Sequence, residues 1–567
     1  MHIWEILIQW SSWFFSEENI KNILVYNENS PMIFTRFYFW VFFTLSLLLY
    51  NVIYKQIALR NTYLFLLSLF FYYKTSGLFI AILLFSTFSD YLLGLLIFYS
   101  KKKNIKLLFV VTSVVINLFV LFFFKYAYFF TSSYNEMFET HHKIFNVFAY
   151  WANEATGSHY AVDQILLPVG ISFFTFQTIS YSVDVYREKI LPVKNILDFG
   201  FYVSFFPQLV AGPIVRASEF IPQLYKPYHL TKVQFGFAVY MILKGLIKKM
   251  VIGDYIAVNF IDRIFQNPSM YTGFENMMAL FGYSLQVYTD FSGYTDIAIG
   301  VALLLGFELP TNFNSPYKAK NVGEFWKRWH ISLSGWLKDY LYIPLGGNKK
   351  GSWASYICIS VIAVIVVMLA KKWWVGVLLL IIAILMIAIA LFSANTRKQI
   401  NTNINLMITM LLGGLWHGAS WQFVIWGGLN GLGLIANKAW KKISPYEKVN
   451  HWAVNTWKIL ITFTFITFTR IWFRAETMET TQQILQQISG NFKASLIFTV
   501  LESYKMVFFA MLIGFVVHWL PDKLKENIKI KFASQHILVQ VLAMCITVFF
   551  IFQTLSADIQ PFIYFQF

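Results

Sequence analysis

The sequence predicts an all-α polytopic membrane protein. Its composition is 57% hydrophobic and only 13% charged, with a positive mean hydropathy, a balance that soluble globular chains of this length do not show. Uncharged runs recur along it, among them Leu107–Phe124, Val375–Phe392 and Val539–Phe552. With their flanks several approach the roughly 20 apolar residues that cross a hydrocarbon core, and about 12 to 15 such segments are expected. The net charge of +17 lies in short clusters between apolar segments and not on one soluble face, which points to membrane topology and away from nucleic acid.

The N-terminus carries Glu5 and an interrupted amphipathic stretch, so no cleavable signal peptide is expected. Spans at 33–54, 62–73, 76–99 and 106–129, counted from an outside N-terminus, place the acidic stretch Asn135–Asp163 outside. Lys101–Lys103, Lys248–Lys249, Lys438 with Lys441–Lys442, and Lys523–Lys531 then read as cytoplasmic loops. On this reading 1–130 is a scaffold of transmembrane helices and 131–163 an extracytoplasmic loop. A core over 164–475 carries an extra apolar hairpin at 353–393 that is split by Lys371–Lys372, has a short first arm and is ambiguous in orientation. Residues 476–567 supply the last helices and an aromatic tail. Within the core, Pro, Gly, Gln, Asn and charges interrupt the apolar runs. Broken helices at membrane depth survive only where protein or a water-filled cavity satisfies the freed backbone groups, so a central cavity is expected there. Cys358 and Cys545 sit in apolar segments and read as packing residues, not as a disulfide or metal cluster. No internal repeat is visible, which weakens a transporter built from inverted halves.

Two segments carry candidate chemistry. A span is expected at 401–437, and its stretch Gln399–Asn437 contains no Asp or Glu and, before Asn437, no Lys or Arg. His417 lies within it in Gly-Gly-Leu-Trp-His-Gly-Ala-Ser-Trp. An intramembrane ionisable residue is a functional candidate. Gly414 and Gly418, and Gly427 and Gly431, are four apart, so that a neighbouring backbone or a ligand can approach closely. The second segment, 324–347, mixes aromatics with cations, a histidine and an acid. Helical spacing puts Trp326, His330 and Ser334 on one face, with Lys327, Lys338 and Asp339 elsewhere. Each segment also has a plainer reading, as a hydrogen-bonded histidine between packed helices and as an amphipathic cytoplasmic helix. Two embedded histidines without a thiol cluster suit proton transfer, because an imidazole can accept the proton of an attacking hydroxyl. His141, His142, His159 and His229 lack metal-motif spacing, so no metal is expected.

The residues Trp-His-Gly-Ala-Ser-Trp at 416–421 and Arg-Trp-His-Ile-Ser-Leu-Ser-Gly-Trp-Leu-Lys-Asp-Tyr-Leu-Tyr-Ile-Pro-Leu-Gly-Gly at 328–347 resemble the membrane-bound O-acyltransferases. Their bacterial alginate and peptidoglycan O-acetyltransferase branch is the nearest, and it includes the teichoic-acid D-alanylation membrane protein. Leu-Pro-Val-Gly-Ile-Ser-Phe-Phe-Thr-Phe-Gln at 167–177, Phe-Pro-Gln-Leu-Val-Ala-Gly-Pro-Ile-Val-Arg at 206–216, Tyr-Thr-Asp-Phe-Ser-Gly-Tyr-Thr-Asp at 288–296 and Asn-Phe-Asn-Ser-Pro-Tyr at 312–317 extend the likeness over about 160–475. The resemblance implies a multi-helix bundle with re-entrant helices around a central tunnel, in a bacterial cytoplasmic (inner) membrane. It implies that His417 is the catalytic histidine and His330 the second histidine, nearer the cytoplasmic side. Trp416, Asn430, Asp339, Arg328, Trp326 and Ser334 are the accompanying tunnel or donor-site candidates. It further implies an acyl thioester co-substrate, acetyl-CoA or an acyl-carrier thioester, with no bound cofactor. The implied partners are membrane lipids and either an SGNH/GDSL-type extracytoplasmic acetyltransferase or a polysaccharide-export protein.

Two departures limit the transfer of roles. The histidines are 87 positions apart, lengthened by the 353–393 hairpin, and Leu-Asn-Gly at 429–431 stands where relatives often carry Leu-His-Gly. The tail Phe-Ile-Tyr-Phe-Gln-Phe, 562–567, resembles the terminal motif of the small membrane protein of the D-alanylation system. This makes Tyr564 a candidate acyl relay or, on the plainer reading, part of an aromatic interface anchor. A proton-coupled transporter or channel, and a catalytically idle scaffold for an extracytoplasmic enzyme, are the alternatives from other classes.

Overall fold

The computed structural model describes residues 25–27, 30–157, 161–163, 165–210, 212–554 and 562, and the described residues form helices, turns and connecting segments. The segment read for a signal peptide and Tyr564 lie outside the described residues. Two compact units interleave in sequence. One comprises Met1–Leu121, Leu167–Ala238 and Ile297–Leu309; the other comprises Phe122–Leu166, Val239–Asp296 and Pro310–Phe567.

In the first unit helices Phe37–Ile53, Ile57–Ser76, Ile80–Tyr99 and one that starts at Lys103 overlap the segments expected as spans, although Phe37–Ile53 is shorter than a span and Ile57–Tyr99 counts as one apolar segment of 43 residues. Asp90, fully buried on Ile80–Tyr99, joins that helix to two others. It accepts from the Asn117 amide at 2.7 Å and from the Ser182 hydroxyl at 3.2 Å, while Thr178 donates to Asn117 Oδ1 at 2.9 Å. An acidic side chain at this depth persists only when such donors replace water. The 167–177 motif begins helix Ile171–Tyr186 at Gly170, whose φ of 75° is left-handed. A Cβ there would lie 2.5 Å from the carbonyl oxygen of Leu209, so the motif's glycine is what lets the 206–216 motif approach.

In the second unit two apolar helices, Trp353–Ala370 and Trp373–Phe392, form the 353–393 hairpin. The first arm, 18 residues of high hydropathy, is long enough to cross a membrane, against the short arm expected. No residue of the second arm is buried and only Ser355 of the first is, so the hairpin turns its side chains outward. Its base is pinned: Ser355 donates to Asn405 Oδ1 at 2.7 Å, and the Asn405 amide donates to the carbonyls of Gly347 and Lys350. Cys358 is half-buried and Cys545 exposed, a placement on outward helix faces where packing positions were expected.

Among the described helices, five are apolar and long enough to cross a membrane, or six if the bent pair Ala494–Ser503 and Lys505–Trp519 is one span. The expectation of about 12 to 15 exceeds this, because the long helices of the second unit carry polar residues inward and their mean hydropathy falls. Ala394–His417, Trp421–Ile443 and Trp452–Arg474 have 24, 23 and 23 residues and retain the length to cross. Lys248–Lys249 also depart from the loop expected. They lie in a π-helical segment, Ile247–Asp254, with Lys249 buried between Asp254 and Asp290 and Lys248 paired to Asp296 at 2.7 Å. The acids of the 288–296 motif are their partners, so this cluster is an internal ion-pair network.

Candidate active site

The span expected at 401–437 is broken. Helix Ala394–His417 ends at His417, Gly418 and Ser420 are extended, and Trp421–Ile443 returns along it as a hairpin. His417 is therefore the last residue of a helix and not mid-segment. The glycine spacing explains the closeness of the two arms. A Cβ on Gly414 would lie 2.2 Å from the Phe423 carbonyl oxygen, and one on Gly427 would lie 2.3 Å from that of Met410. Backbone meets backbone at this crossing, which only glycine permits.

The last carbonyls of the first arm point to no further turn and need donors from elsewhere. Lys125 and Tyr126 supply them. The ammonium of Lys125 donates to Trp416 O at 2.7 Å and to His417 O at 3.3 Å, and the Tyr126 hydroxyl donates to Leu415 O at 3.0 Å. Both sit in a π-helical turn, Phe122–Tyr126, a local bulge that turns them toward this helix end. These are positioning residues. Lys125→Met is expected to lower kcat by about 10- to 100-fold with KM unchanged, since a misplacement near 1 Å costs this much. Steady-state kinetics that show KM rising with kcat constant would contradict the assignment.

His330 departs from the continuous helix on which the face of Trp326, His330 and Ser334 rests. Helix Val322–Arg328 stops, His330 takes a left-handed conformation at φ 45°, and Ile331–Trp336 starts anew. The 312–317 motif enforces the break. Ile331 N–H donates to Asn312 O at 2.9 Å, and Asn312 Oδ1 accepts from Ser332 N–H and hydroxyl at 3.1 and 2.9 Å. Strain of this kind in a non-glycine residue persists where its surroundings over-determine it. His330 Nδ1 accepts from Leu333 N–H at 3.3 Å, so in the neutral ring Nε2 carries the proton and is a donor.

The break brings the two histidines together. Their ring centroids are 6.3 Å apart at 88°, both rings are buried, and Trp416 lies 5.8 Å from His330. Trp426 and Phe473 meet the His417 ring at 5.1 and 5.3 Å. Beside His417 is a small cavity of about 10 Å³, room for about one water, walled by Val287, Phe325, Trp329, Trp426, Ile466 and Phe473, with Asn430 and Arg470 as its other polar side chains.

The other candidates divide. Asn430 lines the cavity; its amide donates to Trp426 O at 2.9 Å, and its buried Oδ1 has no hydrogen-bond partner among the described residues. Trp416 flanks both histidines. Trp326 stands one layer back, 5.7 Å from Trp426. Ser334 closes the turn at His330, with its N–H on His330 O at 2.9 Å. Arg328 is paired with Glu324 at 2.8 Å and bonded to Asn314 O, which makes it a brace for the 312–317 segment. Asp339 lies half-buried in the next π-helical turn, Leu337–Tyr342, outside the cavity wall. Lys125 and Arg470 escaped the sequence reading, although a lysine inside the span expected at 106–129 was a usable signal.

The sequence model of the membrane-bound O-acyltransferase family matches residues 94–364. The peptidoglycan O-acetyltransferase of Helicobacter pylori is 32% identical over 462 residues, 77% of this chain and 75% of that protein. The probable alginate O-acetylase of Pseudomonas aeruginosa is 35% identical over 65% of this chain, which spans only 58% of that relative's length. The teichoic acid D-alanyltransferase of Bacillus subtilis is 28% identical over 55% of this chain and 69% of that protein.

Proposed function

Because the chain belongs to the membrane-bound O-acyltransferase family, we propose that this multi-pass membrane enzyme moves an acetyl or similarly short acyl group from a cytoplasmic thioester to a hydroxyl of an exported cell-envelope polysaccharide. The observation that carries the reading is the meeting of His330 and His417, from segments 87 positions apart, beside one apolar cavity. In this proposal His417 takes the proton of the attacking hydroxyl, and neighbouring N–H groups, among them His330 Nε2–H, stabilise the carbonyl oxygen. Apolar walls exclude water, which would otherwise hydrolyse the thioester. The membrane is the bacterial cytoplasmic membrane, and the donor is acetyl-CoA or an acyl-carrier thioester. Relatives named for peptidoglycan and alginate acetylation support a polysaccharide acceptor.

The acyl group reaches the glycan directly or through a partner, an SGNH/GDSL-type extracytoplasmic transferase or an export protein. A tail relay fits the second route. Phe562, two positions before Tyr564, is fully buried 4.5 Å from Tyr294 and 5.6 Å from Phe291, and Phe291 is 4.6 Å from the His330 ring. Mass spectrometry of envelope glycans from cells lacking the gene, carrying it, or carrying Tyr564→Phe tests both statements. Loss of one O-linked ester on deletion is expected, and an unchanged ester pattern would overturn the reading. The same loss is expected for Tyr564→Phe, and full acylation in that variant would eliminate the relay alone.

A further inference from the structure

Arg470 is placed on helix Trp452–Arg474, one turn before its end, and is 4% exposed. Its environment differs from that of the other buried cation of this unit. Lys249 is held by two carboxylates, whereas Arg470 has no carboxylate within ion-pair distance among the described residues. Its Nη1 donates to Ser284 O at 3.0 Å and to the Tyr317 hydroxyl, both neutral. The guanidinium stacks over Trp329 with its carbon 4.7 Å from the indole centroid and lies 5.2 Å from the Tyr317 ring. Five N–H donors belong to this group, and those of Nε and Nη2 meet no acceptor among the described residues.

Arg470 lines the same cavity as His417, with the supporting Trp329 beside it in the wall. Three positions along the helix, on the same face, Phe473 touches the His417 ring. Arg470 and His417 thus share one cavity wall, so a carbonyl lodged beside His417 also faces the guanidinium. A desolvated cation without a counter-charge is costly at rest. Thioester and hydroxyl are both neutral, so the charge is complementary to something formed only during reaction.

We propose that Arg470 is a catalytic residue that holds the oxyanion of the tetrahedral intermediate through Nε–H and Nη2–H. This rests on the acyl-transfer reading above. The hydroxyl oxygen bonds to the thioester carbonyl carbon, its proton passes to His417, and the C=O π pair moves onto the carbonyl oxygen facing Arg470. Collapse restores C=O and breaks C–S, and the leaving thiolate takes the proton back from His417. Trp329 and Tyr317 fix the guanidinium plane, so the donors are in place before the charge develops.

The test compares Arg470→Gln, Arg470→Lys and His417→Ala in the full-length protein. The rate of glycan ester formation after induction is read by mass spectrometry, and purified protein is titrated with a non-hydrolysable thioether analogue of acetyl-CoA. For Arg470→Gln a rate about 100- to 1000-fold lower is expected, with analogue affinity within about threefold of wild type. Arg470→Lys keeps the charge without the planar fork and decides the matter if the glutamine variant fails to reach the membrane; about a tenfold loss is expected. A rate within about threefold of wild type in a folded variant, or a weakening of analogue binding in proportion to the rate, would overturn the role. If gene deletion and His417→Ala remove the ester while Arg470→Gln keeps it, only this inference fails. If deletion removes no ester, the acyl-transfer reading itself fails.

Discussion

His417→Ala is expected to lower acyl transfer at least about 1000-fold while the protein remains in the membrane, folded and able to bind its acyl donor. General-base catalysis by a positioned imidazole contributes about 10² to 10⁴ in rate, and no other imidazole occupies this cavity wall. His330 is not a substitute. Its Nδ1 is committed to the Leu333 N–H and the backbone that follows it is held by Asn312, so it offers a donor where a base is needed. His330→Ala is accordingly expected to cost less in rate and more in stability, because it removes both a turn cap and a ring packed 4.6 Å from Phe291. Transfer rates and thermal unfolding of the two purified variants separate these effects. Equal loss of rate in both, with equal loss of stability, would mean that the histidines serve packing alone.

Gly427→Leu is expected to destabilise the protein by about 3 kcal/mol or more and to abolish activity with it. The first side-chain carbon would lie 2.3 Å from the Met410 carbonyl oxygen and 3.1 Å from the Gly414 Cα. These are backbone atoms of the facing helix, so no rotamer change relieves the clash and the hairpin arms must separate. His417 ends one of those arms, and the site opens as they part. The neighbouring Gly428 provides the contrast. A Cβ there meets only a Leu411 methyl at 3.4 Å, so Gly428→Ala is expected to be neutral or stabilising by up to about 1 kcal/mol from helix propensity. Thermal unfolding of both variants checks the pair, and a similar effect at the two positions would contradict the crossing geometry.

How much of this was legible in the sequence depended on what each residue's signal required. An imidazole in an uncharged stretch is visible without a structure, as are paired glycines four apart, and His417 and the tight helix crossing were read from them. The chain break between the hairpin arms was not, because Gly418-Ala419-Ser420 is too short an interruption to end an apolar run. His330 was found, but its face was misjudged. Helical periodicity assumes a continuous helix, and the bonds from Asn312 that stop it come from a segment about twenty positions away. Asp339 and Arg328 stand out as charges near a motif, but Arg328 is paired to Glu324 and neither lines the cavity. Arg470 resembled Arg474, four residues on, as one of two cations at a span's end. Only the fold distinguishes Arg474, paired to Asp262 at 2.9 Å, from Arg470 against the cavity.

The most direct test of the account places the purified protein in sealed vesicles, with labelled acetyl-CoA supplied on the cytoplasmic face alone and envelope polysaccharide, with and without an SGNH/GDSL-type transferase, on the other. Label is expected as an ester on the polysaccharide with wild-type protein and to be absent with His417→Ala. Ester formation that survives His417→Ala, or label that crosses the membrane as free acetate without an ester product, would contradict it.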